Sequence, residues 1–162
     1  CTTKMAFALP EKKTALAACG QITLSKNAAM NDSYKIAMQA QLAEIEEELA
    51  EIKKLYQGQG YMPNMAYRAT ERNLQLLVEA CIGIAKQTLK NLNKNVPTDT
   101  RQVFEKLKAE GQDHSNIPWN KVIGMRNALV HDYLNIERDR IISIISEDHH
   151  LPLIQFAKEK IR

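Results

Sequence analysis

The chain of 162 residues is long enough for one domain with a buried core, and 44% apolar residues with few glycines and prolines favour helices. Residues 1–29 carry four lysines and one glutamate, which accounts for the whole net charge of +3, and the remainder balances 18 basic against 18 acidic residues. Overall charge therefore gives no argument for nucleic-acid binding, and any basic site has to be local.

The cysteines Cys1, Cys19 and Cys81 are odd in number and widely spaced, which argues against a disulfide framework or a zinc site. Cys81 falls on an apolar helix face and is expected to be a buried thiol. No apolar run reaches the roughly 18–20 residues that cross a bilayer. Residues 16–19 resemble a lipoprotein cleavage site, but two lysines immediately upstream leave no room for an apolar signal segment. We therefore expect a cytoplasmic protein.

Residues 1–29 differ from the rest in being rich in Ala, Thr and Lys, with weak periodicity. Because Met30 resembles a natural start, we expect residues 1–29 to be an extension that is expression-derived or lies upstream of that start. A short docking arm is the alternative. The functional domain is expected to span residues 30–162.

A first long helix is predicted over residues 34–57, with Asp32 or Ser33 as its cap. Its apolar residues recur at intervals of four and three and form one seam: Met38, Leu42, Ile45, Leu49, Ile52 and Tyr56. The glutamates between them predict a solvated face. A second long helix is predicted over residues 64–91, and its apolar face comprises Leu74, Leu77, Val78, Cys81, Ile84, Ala85 and Leu89.

Shorter helices are predicted in the second half of the chain, where Pro118 suits the first turn of one of them. Their boundaries are expected at Thr98 or Asp99 to 110, at 118 to 134, around Ile141–Ile145 between breaks at 135–137 and 148–152, and at 153–161. Strand-like alternation is absent from the sequence. The predicted fold is an all-α antiparallel helical bundle with two long and several short helices, and the long seam favours a twofold homodimer.

Four chemically capable side chains lie within eight residues near the end of the predicted 118–134 helix: Arg126, Asn127, His131 and Tyr133. At 100° per residue, Arg126 and Tyr133 share one stripe of that helix. Asn127 and His131 form an adjacent pair spaced i, i+4.

These residue types suit cleavage of a phosphodiester. A histidine near neutrality takes a proton from a ribose 2′-hydroxyl or gives one to the leaving oxygen, and an arginine fork binds the phosphate. Asn127 can orient the imidazole or bind a phosphate oxygen, and Tyr133 can stack on a base. RNA supplies its own nucleophile, so the chemistry needs no metal. The residues alone also allow a second interpretation. In it, this segment is an ordinary solvated helix end, and His131 only contacts the last carbonyls of the helix.

The pattern Arg126-Asn127-x3-His131-x-Tyr133 resembles the Arg-x4-His-x-Tyr motif of HEPN ribonucleases of the HepT kind, and it lies late in an all-helical chain as it does there. Residues 68–72 are similar to the Glu-Arg region of these proteins. The resemblance covers about residues 31–162, and residues 1–29 have no counterpart in it.

The resemblance implies a toxin of a toxin–antitoxin pair that cleaves RNA, either transfer RNA or messenger RNA, without metal or cofactor. Arg126 and His131 would be catalytic, Asn127 would support them or bind RNA, and two copies would form a homodimer around a shared cleft. The implied partner is a minimal nucleotidyltransferase antitoxin similar to MntA, which adds AMP to Tyr133. The phosphates of AMP would then lie beside Arg126 and block the phosphate site.

A non-catalytic reading remains, in which the chain is a helical docking or substrate-binding subunit for a nucleotidyltransferase. Three further histidines carry no such role in the sequence. His149 and His150 are predicted to form a solvated turn, because adjacent histidines point about 100° apart and other ligands are missing. His114 has no evident partner. Trp119 is expected to be a core or interface anchor.

Overall fold

A computed structural model describes residues 30–162, so the predicted extension over residues 1–29 lies outside the described residues. Six α-helices and one short 3-10 turn make up the described part of the chain, which contains no strand. In chain order they are α1 (Asp32–Gln59), α2 (Asn64–Asn91), α3 (Thr100–Ala109), α4 (Trp119–His131), the 3-10 turn (Tyr133–Asn135), α5 (Arg138–Ser146) and α6 (Leu151–Ile161). The predicted all-α class with two long and several short helices is confirmed.

Helix α1 begins at Asp32, two residues earlier than predicted. Asn31 caps it, since its side-chain oxygen accepts from the backbone N–H of Ser33 at 3.1 Å. The prediction of Asp32 or Ser33 as the cap is therefore wrong, and Asp32 instead lies in the first turn, where the helix dipole favours a negative charge. At the other end Gly60 adopts φ 76°, and its N–H reaches the Tyr56 carbonyl at 2.8 Å.

Helix α2 is the central element, because α1, α3, α4, α5 and α6 all pack against it. The predicted apolar face of α2 is fully buried: Leu74, Leu77, Val78, Cys81, Ile84, Ala85 and Leu89. The seam of α1 is buried at Leu42, Ile45, Leu49 and Ile52 and half-buried at its two ends. The predicted solvated face of α1 is confirmed, since Glu44, Glu47, Glu48 and Glu51 are all exposed.

Polar contacts fix the register of the long helices. Gln39 near the start of α1 donates to the carbonyl of Ile161 near the end of α6, and the side chains of Glu46 and Lys158 pair farther along. Lys53 then meets Asp148, just before α6, at 2.6 Å. Residues later in α1 thus contact residues that come earlier at the α6 side, so these two helices run antiparallel.

The thiol of Cys81 lies in the middle of the core, where its Sγ is 3.5 Å from the carbonyl oxygen of Leu153. Burial raises the pKa of this thiol to about 12. The prediction of a buried thiol is confirmed. Within residues 30–162, none of the helices combines the length and the apolar character needed to cross a membrane.

Candidate active site

Helix α4 carries most of the sequence motif, and aromatic packing anchors its first residue. Trp119 stacks on Phe104 of α3 with ring centroids 3.9 Å apart and meets the edge of Phe156 of α6 at 4.9 Å. Its indole N–H donates to the carboxylate of Asp113 at 2.7 Å. Trp119 is therefore a core anchor, and it fixes the start of the helix that ends in the motif.

Asp113 lies between the predicted helices that end at 110 and begin at 118, in a stretch to which the sequence assigned no structural role. The side chain is only 5% exposed, and its second oxygen accepts from both the backbone N–H and the hydroxyl of Ser115. A buried tryptophan six residues downstream needs an acceptor for its N–H, and that requirement was a usable signal.

The end of α4 differs from the prediction, which continued the helix to about Leu134. His131 is its last residue, because Asp132 takes up φ −135° and ψ 36°, outside the helical region. The carboxylate of Asp132 instead accepts from the side-chain amide of Asn135 at 2.5 Å, which closes a local turn.

Arg126 occupies the core-facing side of α4. It lies seven residues after Trp119 and three after Ile123, so all three fall within about 60° of one another on the helix. Arg126 is half-buried, and its Nε is shielded from solvent and has no hydrogen-bond acceptor in the described part of the chain. Among residues 30–162 no carboxylate pairs with its guanidinium. The described residues therefore leave the positive charge of Arg126 without a carboxylate to neutralise it.

His131 and Asn127 lie on the neighbouring side of α4, one turn apart. His131 is exposed and Asn127 is half-buried. Five positions separate Arg126 from His131, which corresponds to about 140° of rotation and about 7.5 Å along the axis. In a single chain the two residues therefore start from different sides of the helix, and Arg126 has to reach around it to approach the imidazole.

Tyr133 is the first residue of the 3-10 turn and does not belong to α4. The predicted stripe shared by Arg126 and Tyr133 assumed an unbroken helix, so that part of the prediction is wrong. The break at Asp132 is the physical reason. Tyr133 still follows His131 by two residues and immediately precedes the exposed Leu134.

The region that resembles the Glu-Arg segment lies in the second and third turns of α2. Arg68 and Arg72 are exposed there, and Glu71 is half-buried beside Tyr67. Burial and the adjacent Glu71 carboxylate raise the pKa of Tyr67 to about 12, although the charge of Arg138 opposes the shift. Tyr67 is thus a neutral phenol at the foot of α2.

A wide groove of about 1210 Å³ lies on the other side of α4, between the loop before this helix and helices α5 and α6. Val122, Met125 and Ala128 contribute to its wall from α4, whereas Arg126 and His131 do not line it. Arg126, Asn127 and His131 are therefore turned away from this groove.

The remaining histidines behave differently from one another. His149 is exposed beside Glu147, as predicted, but the prediction of a solvated turn is wrong for His150, which is 4% exposed. Its Nδ1 lies 3.3 Å from the carbonyl oxygen of Ile144. Both histidines lie in the turn between α5 and α6, where one faces water and the other faces the core. Within the described chain no three His, Cys, Asp or Glu residues are grouped to hold a metal, and His114 is exposed.

Known proteins resemble this chain in sequence and in fold. The mRNA nuclease HepT of Shewanella oneidensis strain MR-1 is 32% identical over 81 residues, which is 49% of this chain and 59% of that protein. The match thus spans less than two thirds of that relative. A chain in a crystal structure of a toxin–antitoxin with AMP-PNP has a TM-score of 0.64 at 25% identity and covers 82% of this chain and 100% of that chain. The ribonuclease HepT-like family model matches residues 45–160, which include the whole motif. The chain therefore belongs to the HepT-like ribonuclease family.

Proposed function

We propose that this chain is the toxin of a toxin–antitoxin pair and cleaves RNA without a metal ion, with Arg126 and His131 as catalytic residues. The uncompensated guanidinium of Arg126 carries the proposal. A half-buried arginine that lacks a carboxylate partner among the described residues is suited to a ligand that brings the negative charge itself. Family membership and the exposed imidazole five positions later support the same reading.

The proposed reaction uses the 2′-hydroxyl of RNA as the nucleophile. Its oxygen bonds to phosphorus while the bond from phosphorus to the 5′-oxygen breaks, which leaves a 2′,3′-cyclic phosphate and a 5′-hydroxyl. A base takes the proton from the 2′-oxygen, and an acid gives one to the 5′-oxygen. His131 has the chemistry for either role, and the fork of Arg126 stabilises the extra charge on the phosphate.

We further propose that the active form is a homodimer. The side chains of Arg126 and His131 project from α4 in directions about 140° apart, so a single chain does not enclose a phosphate between them. A second copy at the exposed end of α4 would bring two imidazoles to one cleft. One of them would then act as base while the other acts as acid.

The proposed off-switch is transfer of AMP to Tyr133 by a minimal nucleotidyltransferase antitoxin. The phenol oxygen would attack the α-phosphorus of ATP, with pyrophosphate leaving and the phenol proton passing to a base. Tyr133 follows His131 by two residues, so the added phosphate would lie at the same end of α4 and compete with RNA for the arginine. AMP-PNP in the similar toxin–antitoxin structure agrees with a partner that uses ATP.

The decisive experiment incubates the purified chain with total RNA in excess EDTA and sequences the new ends. Cleavage should persist and leave cyclic phosphates, and His131→Ala should lower its rate by about a hundredfold or more. His149→Ala is the matched control, because it removes an exposed histidine away from the motif. Arg126→Met should also abolish cleavage while the melting temperature is kept.

Three outcomes contradict the proposal. Wild-type cleavage by His131→Ala protein rejects the mechanism, and loss of cleavage in EDTA rejects metal independence. Tight binding to the nucleotidyltransferase with no cleavage of any RNA would favour the docking-subunit reading. The switch is tested separately with ATP-treated partner, which should silence wild type and add adenylyl mass, whereas Tyr133→Phe should show an unchanged cleavage rate with and without ATP.

A further inference from the structure

Arg138 is the first residue of α5 and lies seven residues after His131. A cation at this position is disfavoured by the helix dipole, whose positive end is at the N-terminus. The electrostatics of α5 alone therefore do not explain an arginine at this position. The contacts that Arg138 makes around the start of α2 do explain it.

The guanidinium of Arg138 is held at three points by the beginning of α2. One terminal nitrogen donates to the carbonyl of Met62 at 2.5 Å and the other donates to the side-chain oxygen of Asn64 at 3.1 Å. The same group lies over the ring of Tyr67, with its central carbon 4.3 Å from the centroid. The planar guanidinium can stack on a ring and donate hydrogen bonds in two directions at once. The ammonium group of lysine cannot replace both contacts.

These contacts anchor a segment that has little else to hold it. Residues 132–137 link α4 to α5, and among the described side chains only Ile136 packs against the core. The hydrogen bonds found within residues 132–137 are local, such as the closure of Asn135 onto Asp132. The hydrogen bonds that tie this part of the chain to α2 come from Arg138.

We propose that Arg138 is a positioning residue, which fixes the turn after α4 against the start of α2 and thereby sets the backbone positions of His131 and Tyr133. The catalytic part of this inference rests on the proposed function, whereas the anchoring does not. Arg138 is itself exposed, so its loss should loosen one segment and leave the rest of the fold intact.

The test compares Arg138→Met with Arg138→Lys and with the control Arg140→Met. Arg140 lies on the same helix with an 80% exposed side chain, and its contact with Glu137 is 3.7 Å long. Hydrogen exchange is measured on the intact protein, alongside kcat and KM for RNA cleavage. Arg138→Met should speed exchange over residues 132–137 by about tenfold and lower kcat by a similar factor, because two charge-assisted bonds are lost.

Several results separate the possibilities. KM should stay within about twofold, Arg138→Lys should recover part of kcat because it keeps one donor, and Arg140→Met should match wild type. Asn64→Ala removes one partner and should give a smaller effect of the same kind. Unchanged exchange over residues 132–137 in Arg138→Met overturns the anchoring, even if wild type proves inactive on RNA. Faster exchange with unchanged kcat in an active enzyme overturns the positioning role.

Discussion

Replacing Asp113 with alanine should destabilise the protein by separating the loop before α4 from the residue that starts this helix. Asp113 accepts from the indole of Trp119 at 2.7 Å and from the backbone of Ser115 at 2.9 Å, and both Asp113 and Trp119 are buried. Alanine removes the acceptor without removing the indole N–H. The donor is then left inside the core between Phe104 and Phe156.

The size of the effect follows from the two contacts. A buried donor left unpaired costs about 1–3 kcal/mol, and the lost local bond to Ser115 adds roughly 0.5–1 kcal/mol. The sum of about 1.5–4 kcal/mol corresponds to a fall of about 5–12 °C in melting temperature for a chain of this size.

A double-mutant cycle with Trp119→Phe measures the bond itself. Phenylalanine keeps an aromatic ring in contact with Phe104 but lacks the N–H, so Asp113→Ala should cost about 1–2 kcal/mol less in that background. Urea unfolding of the four proteins gives the coupling, and Ser115→Ala controls for the hydroxyl contact. A coupling energy below roughly 0.3 kcal/mol would show that the bond between Asp113 and Trp119 does not hold the loop in place.

Two further predictions concern buried titratable groups. Burial lowers the pKa of His150 although Asp148 opposes this, and Lys53 and Glu46 are its other charged neighbours. The neutral form therefore stabilises the fold above the unfolded pKa of about 6.5, and this stabilisation is lost as pH falls through the folded value. When the pH is lowered from about 7.5 to 5.5, the melting temperature of wild type should fall further than that of His150→Gln. Equal falls would show that His150 does not make the stability depend on pH. Cys81, with its pKa raised to about 12, should react with iodoacetamide only after unfolding, and peptide masses showing modification of native protein would contradict its burial.

Local signals in the sequence predicted most of the helix boundaries. Helix α2 begins and ends where predicted, at Asn64 and Asn91, because Pro63 stops the preceding segment and a polar stretch follows the last apolar residue. Asp99, one of two predicted caps, accepts from the N–H of Arg101 and starts α3. These features depend on residues within one or two turns of each other, which is the range over which sequence patterns act.

The end of α4 shows why the prediction failed there. Val130 and Leu134 continue an apolar spacing of four, which favoured a longer helix, yet Leu134 is 83% exposed. The side chain of Asp132 competes for local hydrogen bonds and closes a turn with Asn135 instead. Periodicity reports which residues could share a face, and it does not report whether a neighbouring element exists to cover that face.

Long-range contacts limited the prediction of the site in the same way. Arg126, Asn127, His131 and Tyr133 were found because they lie within eight residues. Arg138 was missed because its partners at Met62 and Asn64 precede it by more than 70 positions. Hydrogen bonding across that separation leaves no mark in a single sequence.

The position of Arg126 links stability to the proposed chemistry. Trp119 and Ile123 of α4 are buried, Val122 and Leu129 pack against the core, and Arg126 falls between these two pairs around the helix. An apolar side chain there would bury area favourably, whereas arginine leaves a shielded Nε with no acceptor among the described residues and a charge without a partner. A sequence shaped by stability alone would not place a guanidinium at that point. Such a local conflict between a residue and its surroundings is typical of sites where an incoming ligand completes the interaction, and a phosphate of the proposed RNA substrate would supply the acceptor that this fork lacks.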